Sequence, residues 1–189
     1  MTQYLVDELI ERSKRGESDA FRHLVESHQG YAFALAFRLV CDEEAAKDVV
    51  QESFIRVWKH LQEYDPAVKF TTWLYRIVVN LSFDRLKMDM RRRRVIENEQ
   101  ELDERFPLDN NAAEQNLINR DLAERIKSVA ERLPLKQRLV FVLRDLNDLS
   151  VKETAEVLAM SSGSVKANLS YARRTIRKQM EQLDYVREE

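Results

Sequence analysis

The amino-acid sequence predicts an all-α protein built as two small helical domains that an acidic linker joins. Three glycines and three prolines in 189 residues leave few points at which a helix must stop. Apolar residues recur at spacings of three and four along most of the chain, which is the period of a helix with one buried face. No segment shows the sustained apolar–polar alternation of a half-buried strand.

Composition and charge are typical of a soluble globular protein. Hydrophobic residues make up 44% of the chain and charged residues 34%. The length suits one or two domains and is sufficient to bury a core. Because the formal net charge is −2, any contact with DNA must come from local basic patches rather than from the overall charge.

The sequence offers no candidate cofactor or metal site. Cys41 is the only cysteine, which excludes an intrachain disulfide and a cysteine-based zinc site, and the three histidines are scattered. No apolar run is long enough to span a bilayer, and no secretory signal begins the sequence. We therefore expect a cytoplasmic protein with no cofactor, no metal and no membrane insertion.

Residues 1–95 are expected to form the first domain from four helices. A short first helix ends near Gly16, and Ser18 is the expected N-cap of the second. The third helix follows Asp42, with acidic residues in its first turn, where they favour the helix dipole. Its predicted buried stripe, at spacings of four, three and four, consists of Val50, Phe54, Val57 and Leu61.

The composition changes after the fourth helix. Thr71 or Thr72 is expected to cap this helix, which runs into the basic segment Arg91–Arg94. Residues 96–121 then contain eight acidic and two basic residues. Such a segment lacks the apolar surface needed for a core, so we predict an acidic linker, flexible or extended in the free protein.

The second domain, residues 122–189, is predicted to contain a helix-turn-helix. An amphipathic helix that starts at Leu122 is broken by Pro134, and the next helix spans Leu135–Arg144. Two short helices then flank a turn at Met160–Gly163. Their facing sides are formed by apolar residues, namely Ala155, Leu158, Met160, Val165 and Leu169.

The second helix of this motif is basic. Between Ser162 and Lys178 lie five basic residues and no acidic one. Charge gathered on one surface of a helix-turn-helix is typical of motifs whose second helix enters the DNA major groove. The alternative is a solvated surface helix of a domain that never meets DNA.

A second basic region lies in the first domain. From Tyr64 to Arg94, eight basic and three acidic residues are interspersed with aromatic ones. Single-stranded DNA needs positive charge for its backbone and rings for its unstacked bases. Trp73 fits a core position better, whereas Tyr64 and Phe70 flank a loop and are better placed to touch a base.

Five short motifs, in order, resemble regions 2 and 4 of the extracytoplasmic-function sigma factors. Their order and spacing match the family, and together they cover nearly the whole chain. The three region 2 motifs are Gly16–Phe21, then Ala46–Phe54, then Thr72–Ile77 followed by Asn80 and Asp84–Leu86. The region 4 motifs are Leu133–Pro134 with Gln137–Arg138, and the helix-turn-helix.

The resemblance implies a protein that is not an enzyme. Such proteins bind core RNA polymerase, direct it to particular promoters and help to open promoter DNA, and an anti-sigma factor is an expected further partner. The implied polymerase contacts are Asp48, Gln51, Glu52 and Arg56. The implied minus-ten DNA contacts are Tyr64, Lys69, Phe70, Asn80, Asp84, Arg85 and Lys87. The implied minus-thirty-five DNA contacts are Lys166, Ala167, Ser170, Tyr171, Arg173, Arg174, Arg177 and Lys178.

Two other functions are open from the residues alone. A stand-alone helix-turn-helix regulator would bind its operator tightly without polymerase. A nuclease would need a convergent acidic or metal-binding cluster, which the sequence does not indicate. The chain has no G-x-x-x-x-G-K motif for ATP, so any opening of DNA would be driven by binding energy.

Overall fold

The computed structural model describes residues 3–99 and 133–185, and all regular structure in these two ranges is helical. The all-α prediction is confirmed. Most of the predicted linker and the helix predicted from Leu122 lie outside the described residues. The helices of the first domain are α1 Gln3–Lys14, α2 Ser18–Val40, α3 Glu43–His60 and α4 Phe70–Glu99, with a 3-10 turn at Leu61–Glu63 after α3.

The ends of α1 and α3 follow the sequence. Gly16, with a φ of 89°, provides the left-handed residue that reverses the chain after α1. The side chain of Asp42 caps α3, because its Oδ1 accepts a 2.7 Å hydrogen bond from the Ala45 amide. The predicted α3 stripe is buried at three of its four positions, whereas Val50 is half-buried and its neighbour Val49 is buried instead.

Two predicted caps are wrong. The residue before α2 is Glu17 rather than Ser18, and its carboxylate accepts a 2.8 Å bond from Arg12 instead of capping the helix. The fourth helix begins at Phe70, because the carbonyl of Lys69 already accepts the amide of Trp73 at 3.1 Å. The helix also extends past the predicted domain boundary at residue 95, to Glu99.

The second domain contains α5 Leu135–Phe141, a π-helical turn Val142–Leu146, α6 Val151–Leu158 and α7 Ser162–Tyr185. Pro134 precedes α5, as predicted. Together, α5 and the π-helical turn cover the helix that was predicted over Leu135–Arg144. The helix-turn-helix consists of α6 and α7. Its predicted apolar residues pack together around Val140, which confirms the facing sides of the motif.

The turn of the motif lies earlier than predicted, at residues 159–161. Ala159 adopts the left-handed conformation with a φ of 50° and closes α6 by donating to the Ala155 carbonyl. The hydroxyl of Ser161 then accepts the Ser164 amide at 3.1 Å, as an N-cap does. Gly163 therefore lies inside α7 and not in the turn.

The two domains pack against each other. Apolar residues of α1–α4 form one cluster with residues from α5, α6 and their connection. The second-domain members of this cluster are Leu139, Val142, Leu143, Leu149 and Val157. Since each is less than a tenth exposed, the interface is part of the buried core.

Candidate nucleic-acid interface

The solvent-facing side of α7 is a basic surface. Val165 and Leu169 are buried and attach the helix to its domain, as the sequence predicts. All eight residues predicted to contact the minus-thirty-five element have exposed side chains. Residues three and four apart share a face of a helix, and a shallow groove follows that face along Lys166, Ser170, Arg173, Arg174 and Arg177.

Two arginines on α7 have partners within the domain. Arg173 forms a bidentate ion pair with Asp145, at 2.7 and 2.8 Å, and the carboxylate raises the pKa of the guanidinium above its ordinary value. The Arg174 guanidinium lies 5.2 Å from the centre of the Tyr171 ring. Both contacts hold long basic side chains in defined positions on the surface.

A second polar face lies on α4 in the first domain. Asn80, Asp84 and Lys87 are exposed at spacings of four and three, and Lys69 is exposed just before the helix. Lys87 lies 4.1 Å from the centre of the Phe83 ring. Arg85 is exposed beside this face. Lys69, Asn80, Asp84 and Lys87 therefore lie along one side of the helix, and we call this surface the α4 strip.

Arg76 belongs to the same strip and was not predicted as a contact. It is exposed one turn before Asn80. The spacing of seven and four that separates Lys69, Arg76 and Asn80 is the helical signal that identifies it.

Two aromatic residues that were predicted to contact the minus-ten element are buried in the structure. Tyr64 and Phe70 are only 5% and 1% exposed, so neither ring offers a face to a base in this conformation. They pack edge to face, 6.1 Å apart, in a cluster with Trp73, while His28 lies 5.0 Å from Phe70. Trp73 packs against the core, as predicted, but stays half-buried.

Tyr64 instead shapes the loop between α3 and α4. Its hydroxyl donates a 2.5 Å hydrogen bond to the carbonyl of Val68. Burial of the ring raises the pKa of Tyr64 to about 12, so the hydroxyl stays a donor at neutral pH. The loop that precedes Lys69 is thus fixed from within the domain.

The predicted polymerase contacts lie on one side of α3. Asp48, Gln51 and Arg56 are exposed, and Glu52 is half-buried. Glu52 and Arg56 form an ion pair of 3.0 Å along the helix. Since both side chains are about 45% exposed, solvent screens this pair strongly and it contributes little to stability.

An apolar cleft of about 800 Å³ opens between α2 and α3, next to this polar strip. Ile55 and Trp58 on α3 are 39% and 42% exposed at its wall, and Trp58 packs on Phe21 with ring centres 4.8 Å apart. An added Cβ at Gly30 would meet no atom within 4 Å, so this wall of the cleft is open. Exposed apolar surface beside charged residues is typical of a protein docking site.

The cleft was not predicted. Ile55 and Trp58 occur among the apolar residues of α3 but lie off the buried stripe, on the face that also includes Gln51. Ile55 and Trp58 each directly follow a residue of the predicted buried stripe, namely Phe54 and Val57. This offset by one position is the sequence signal that places them on a different face of α3.

The chain is similar to known sigma factors over nearly its whole length. The model of Sigma-70 region 2 matches residues 24–92, and that of Sigma-70 region 4 matches residues 123–176. The ECF RNA polymerase sigma factor SigW of Bacillus subtilis is 30% identical over 96% of this chain and 100% of its own. The RNA polymerase sigma-H factor of Pseudomonas aeruginosa is 30% identical over 97% of both chains.

Solved structures show the same fold. CnrH, determined in complex with the cytosolic domain of CnrY, is 25% identical, with a TM-score of 0.67 over 95% of this chain and 97% of CnrH. The sigma factor RpoE of Bartonella quintana, determined with the anti-sigma factor NepR, is 20% identical, with a TM-score of 0.66 over 85% of this chain and 96% of RpoE.

Within the described ranges, no helix is long and apolar enough to cross a bilayer. The two family models occupy the two helical domains, and the two relatives match 96% and 97% of the chain. The chain belongs to the extracytoplasmic-function sigma factors of the sigma-70 family.

Proposed function

We propose that this protein is a promoter-specificity subunit of RNA polymerase, which binds the core enzyme, directs it to particular promoters and helps to melt the minus-ten region. The observation that supports this most directly is that a chain of this family presents two separate exposed surfaces with basic side chains, one on α4 and one on α7. Two surfaces on two domains suit two separated elements of one promoter.

The polymerase interface is proposed to combine the apolar cleft with the polar side of α3, which is formed by Asp48, Gln51, Glu52 and Arg56. The exposed parts of Ile55 and Trp58 would supply affinity, because aromatic anchors in apolar clefts dominate binding energy. Asp48 and Glu52 would meet basic groups of the core enzyme. Such charges steer association and select the partner more than they add affinity.

The minus-thirty-five element is proposed to bind α7. Residues near the start of the recognition helix lie closest to base edges in helix-turn-helix proteins. Lys166, Ala167, Ser170 and Tyr171 occupy that part of the exposed face. Arg173, Arg174, Arg177 and Lys178 would contact phosphates, which position the helix without recognising sequence.

The minus-ten element is proposed to bind the α4 strip as an opened strand. Lys69, Arg76 and Lys87 would contact phosphates, with Asp84 and Arg85 beside them, and the amide of Asn80 can donate to and accept from a base edge. Taking one base out of the stack costs a few kcal/mol. Since the chain has no ATP motif, contacts with the extruded base and its backbone must offset that cost.

An anti-sigma factor is a further proposed partner. An inhibitor of this protein would have to cover the α2–α3 cleft or the recognition helix, because these are the surfaces that the proposed function uses. A subunit of RNA polymerase acts where the polymerase is, and we therefore place the protein in the cytoplasm. We propose no enzymatic activity of its own.

Two binding measurements test the proposal. The purified protein should co-elute with sigma-free core polymerase in size-exclusion chromatography, and the complex should bind promoter fragments that the protein alone binds weakly. Tight, sequence-specific binding of duplex DNA by the protein alone, with no association with core polymerase, would instead identify a stand-alone regulator.

A further inference from the structure

The connection between α5 and α6 contacts the exposed face of α7 through one acidic side chain. Asp145 lies in the π-helical turn Val142–Leu146 that follows α5. Its two carboxylate oxygens accept hydrogen bonds of 2.7 and 2.8 Å from Arg173 on α7, 28 residues further along the chain. The Asp145 side chain is 20% exposed and the Arg173 side chain 57%. The acid therefore lies on the protein side of the pair, and the guanidinium lies on the solvent side.

The acid is carried by a backbone that is fixed on both sides. Val142 and Leu143 are fully buried. The Asn147 side-chain amide donates to the Val142 carbonyl at 2.9 Å, and the Leu149 amide donates to the Leu143 carbonyl at 3.0 Å. Short π-helical turns are rare and are frequent at functional sites. Asp145 is thus an acceptor in a defined position and not an acid at the tip of a loose loop.

The arginine belongs to the row of side chains proposed to face DNA. Arg173 lines the shallow groove of α7 together with Ser170 and Arg177, which lie three residues before it and four residues after it. The bonds to Asp145 use Nε and Nη2 of Arg173. Because a guanidinium has five N–H groups, both hydrogens of Nη1 and the second hydrogen of Nη2 remain for a phosphate oxygen.

The pair provides position rather than charge. Its two members neutralise each other, so the pair adds little to the long-range attraction of DNA. A guanidinium that is already held in place loses less rotamer freedom when it binds a phosphate. Phosphate contacts fix the register and orientation of a protein on the duplex. A fixed Arg173 therefore suits a contact that aligns α7 with its site.

We infer that Asp145 is a positioning residue for the minus-thirty-five element: it holds Arg173 in the orientation that contacts one phosphate and so sets the register in which the start of α7 meets the bases. This inference rests on the proposed DNA-binding role of α7. Removal of the carboxylate makes the surface more positive, so DNA of any sequence should bind more tightly. Promoter DNA loses a contact that was fixed in advance, so discrimination between promoter and random DNA should fall.

Asp145→Asn is the test variant, and Asp148→Asn is the matched control, each in the full chain bound to core polymerase. Both changes remove one carboxylate from the same connection, but Asp148 is exposed and does not belong to the pair. Its φ of 53° is a conformation that asparagine tolerates. Affinities are measured for a promoter fragment that the wild type uses and for a random duplex of equal length.

The ratio of these two affinities reports discrimination. We expect Asp145→Asn to lower the ratio about three- to tenfold, through a loss of about two- to fivefold at the promoter and a small gain on random duplex. Asp148→Asn should keep the ratio within about twofold of the wild type, because sites without shared partners act independently.

A double-variant cycle with Arg173→Ala separates positioning from charge. Arg173→Ala alone should weaken promoter binding, because a phosphate contact is lost and the Asp145 carboxylate then faces DNA uncovered. In that background Asp145→Asn should raise the promoter affinity about two- to threefold, because it now removes only a repulsive charge. The same substitution is therefore expected to act in opposite directions with and without Arg173.

Two results would overturn the inference and leave the proposed function standing. A gain in promoter affinity in both backgrounds, with an unchanged ratio, would show that Asp145 contributes charge alone. A loss in both backgrounds would show that Asp145 supports the fold of the domain without positioning Arg173. Normal promoter binding by the Arg173→Ala complex would instead overturn the proposed DNA contact of Arg173 together with the inference.

Discussion

Lys69 and Glu153 lie 84 residues apart in the chain, yet their side chains form a 2.9 Å ion pair that joins the loop before α4 to the first turn of α6. The same carboxylate accepts the Ser150 amide at 2.9 Å, and the Ser150 hydroxyl accepts the Glu153 amide at 3.1 Å. Glu153 therefore caps the first helix of the helix-turn-helix and also contacts the neighbouring domain. The start of the DNA-binding motif is thereby linked to the proposed minus-ten surface.

The reciprocal cap at α6 predicts a stability difference between two serines that lie at the starts of α6 and α7. Ser150→Ala should lower the free energy of unfolding by about 1 kcal/mol, because the Glu153 amide loses its acceptor at the helix start. Ser162→Ala, an exposed change in the first turn of α7, should stay within about 0.5 kcal/mol of the wild type. Urea denaturation followed by circular dichroism measures both, and equal losses would contradict the capping role.

Because Phe70 is buried and Asn80 is exposed, substitutions at these two positions of α4 should affect different properties, stability at Phe70 and promoter use at Asn80. Phe70→Ala should lower the free energy of unfolding by about 3–5 kcal/mol, because it leaves a cavity in the aromatic cluster. Asn80→Ala should change stability by less than about 0.5 kcal/mol but reduce transcription from a promoter that the wild-type protein uses. A Phe70→Ala protein of normal stability that fails only in transcription would restore Phe70 as a base contact.

The apolar cleft between α2 and α3 predicts that Trp58 contributes a large part of the affinity for core polymerase. Trp58→Ala should weaken binding to core polymerase by about 30-fold or more, as truncation of a central aromatic anchor does. Tyr31→Ala removes an exposed aromatic side chain from α2 outside the cleft and should leave the dissociation constant within about twofold. Fluorescence anisotropy with labelled protein measures both constants, and equal effects would argue against the cleft.

The basic face of α7 predicts a change in the salt dependence of DNA binding. Arg177→Ala should weaken binding of the polymerase complex to all promoters alike and reduce the slope of log K against log salt by about 0.9. Lys136→Ala removes an exposed charge from α5 and should leave the slope unchanged. A loss at one promoter only, with the slope intact, would mean that Arg177 contacts bases.

Burial of His28 predicts a pH-dependent stability. The ring is 7% exposed and its Nδ1 lies 2.8 Å from the Leu24 carbonyl, and burial lowers the pKa of the imidazole below its usual value. As the pH falls through about 6.5, the unfolded chain takes up a proton that the folded protein resists, so stability falls with it.

Urea midpoints between pH 7.5 and pH 5.5 measure this effect. The decrease should be smaller in His28→Phe, which removes the titrating group, and unchanged in His23→Gln, at an exposed position on the same helix. An equal decrease in wild type and His28→Phe would assign the effect to other groups.

Some local features were predicted well, although the caps expected at Ser18 and at Thr71 or Thr72 were wrong. Asp42 was expected to start α3 and does so, because a side-chain cap depends on residues three apart. The apolar sides of the helix-turn-helix were correct for the same reason, since Val165 and Leu169 share one face of α7. The reciprocal cap of Ser150 and Glu153 was not predicted, although the S-x-x-E pattern is an equally local signal.

Features that depend on packing between distant segments were not predictable in this way. Tyr64 and Phe70 flank a loop and look accessible from their neighbours, but rings from α2 and α4 enclose them. The contacts of Arg38, Lys69 and Arg76 with the second domain arise from tertiary packing. Ala159 adopts a conformation that glycine favours, so its position in the turn had no compositional signal.

The most direct test of the proposed function is transcription by sigma-free core polymerase on sheared genomic DNA, with the transcript starts mapped by sequencing. With this protein added, we expect a new set of starts that share two sequence elements at one fixed spacing, and Lys166→Ala should alter the upstream element while the downstream one is retained. An unchanged set of starts with and without the protein would contradict its role as a promoter-specificity subunit.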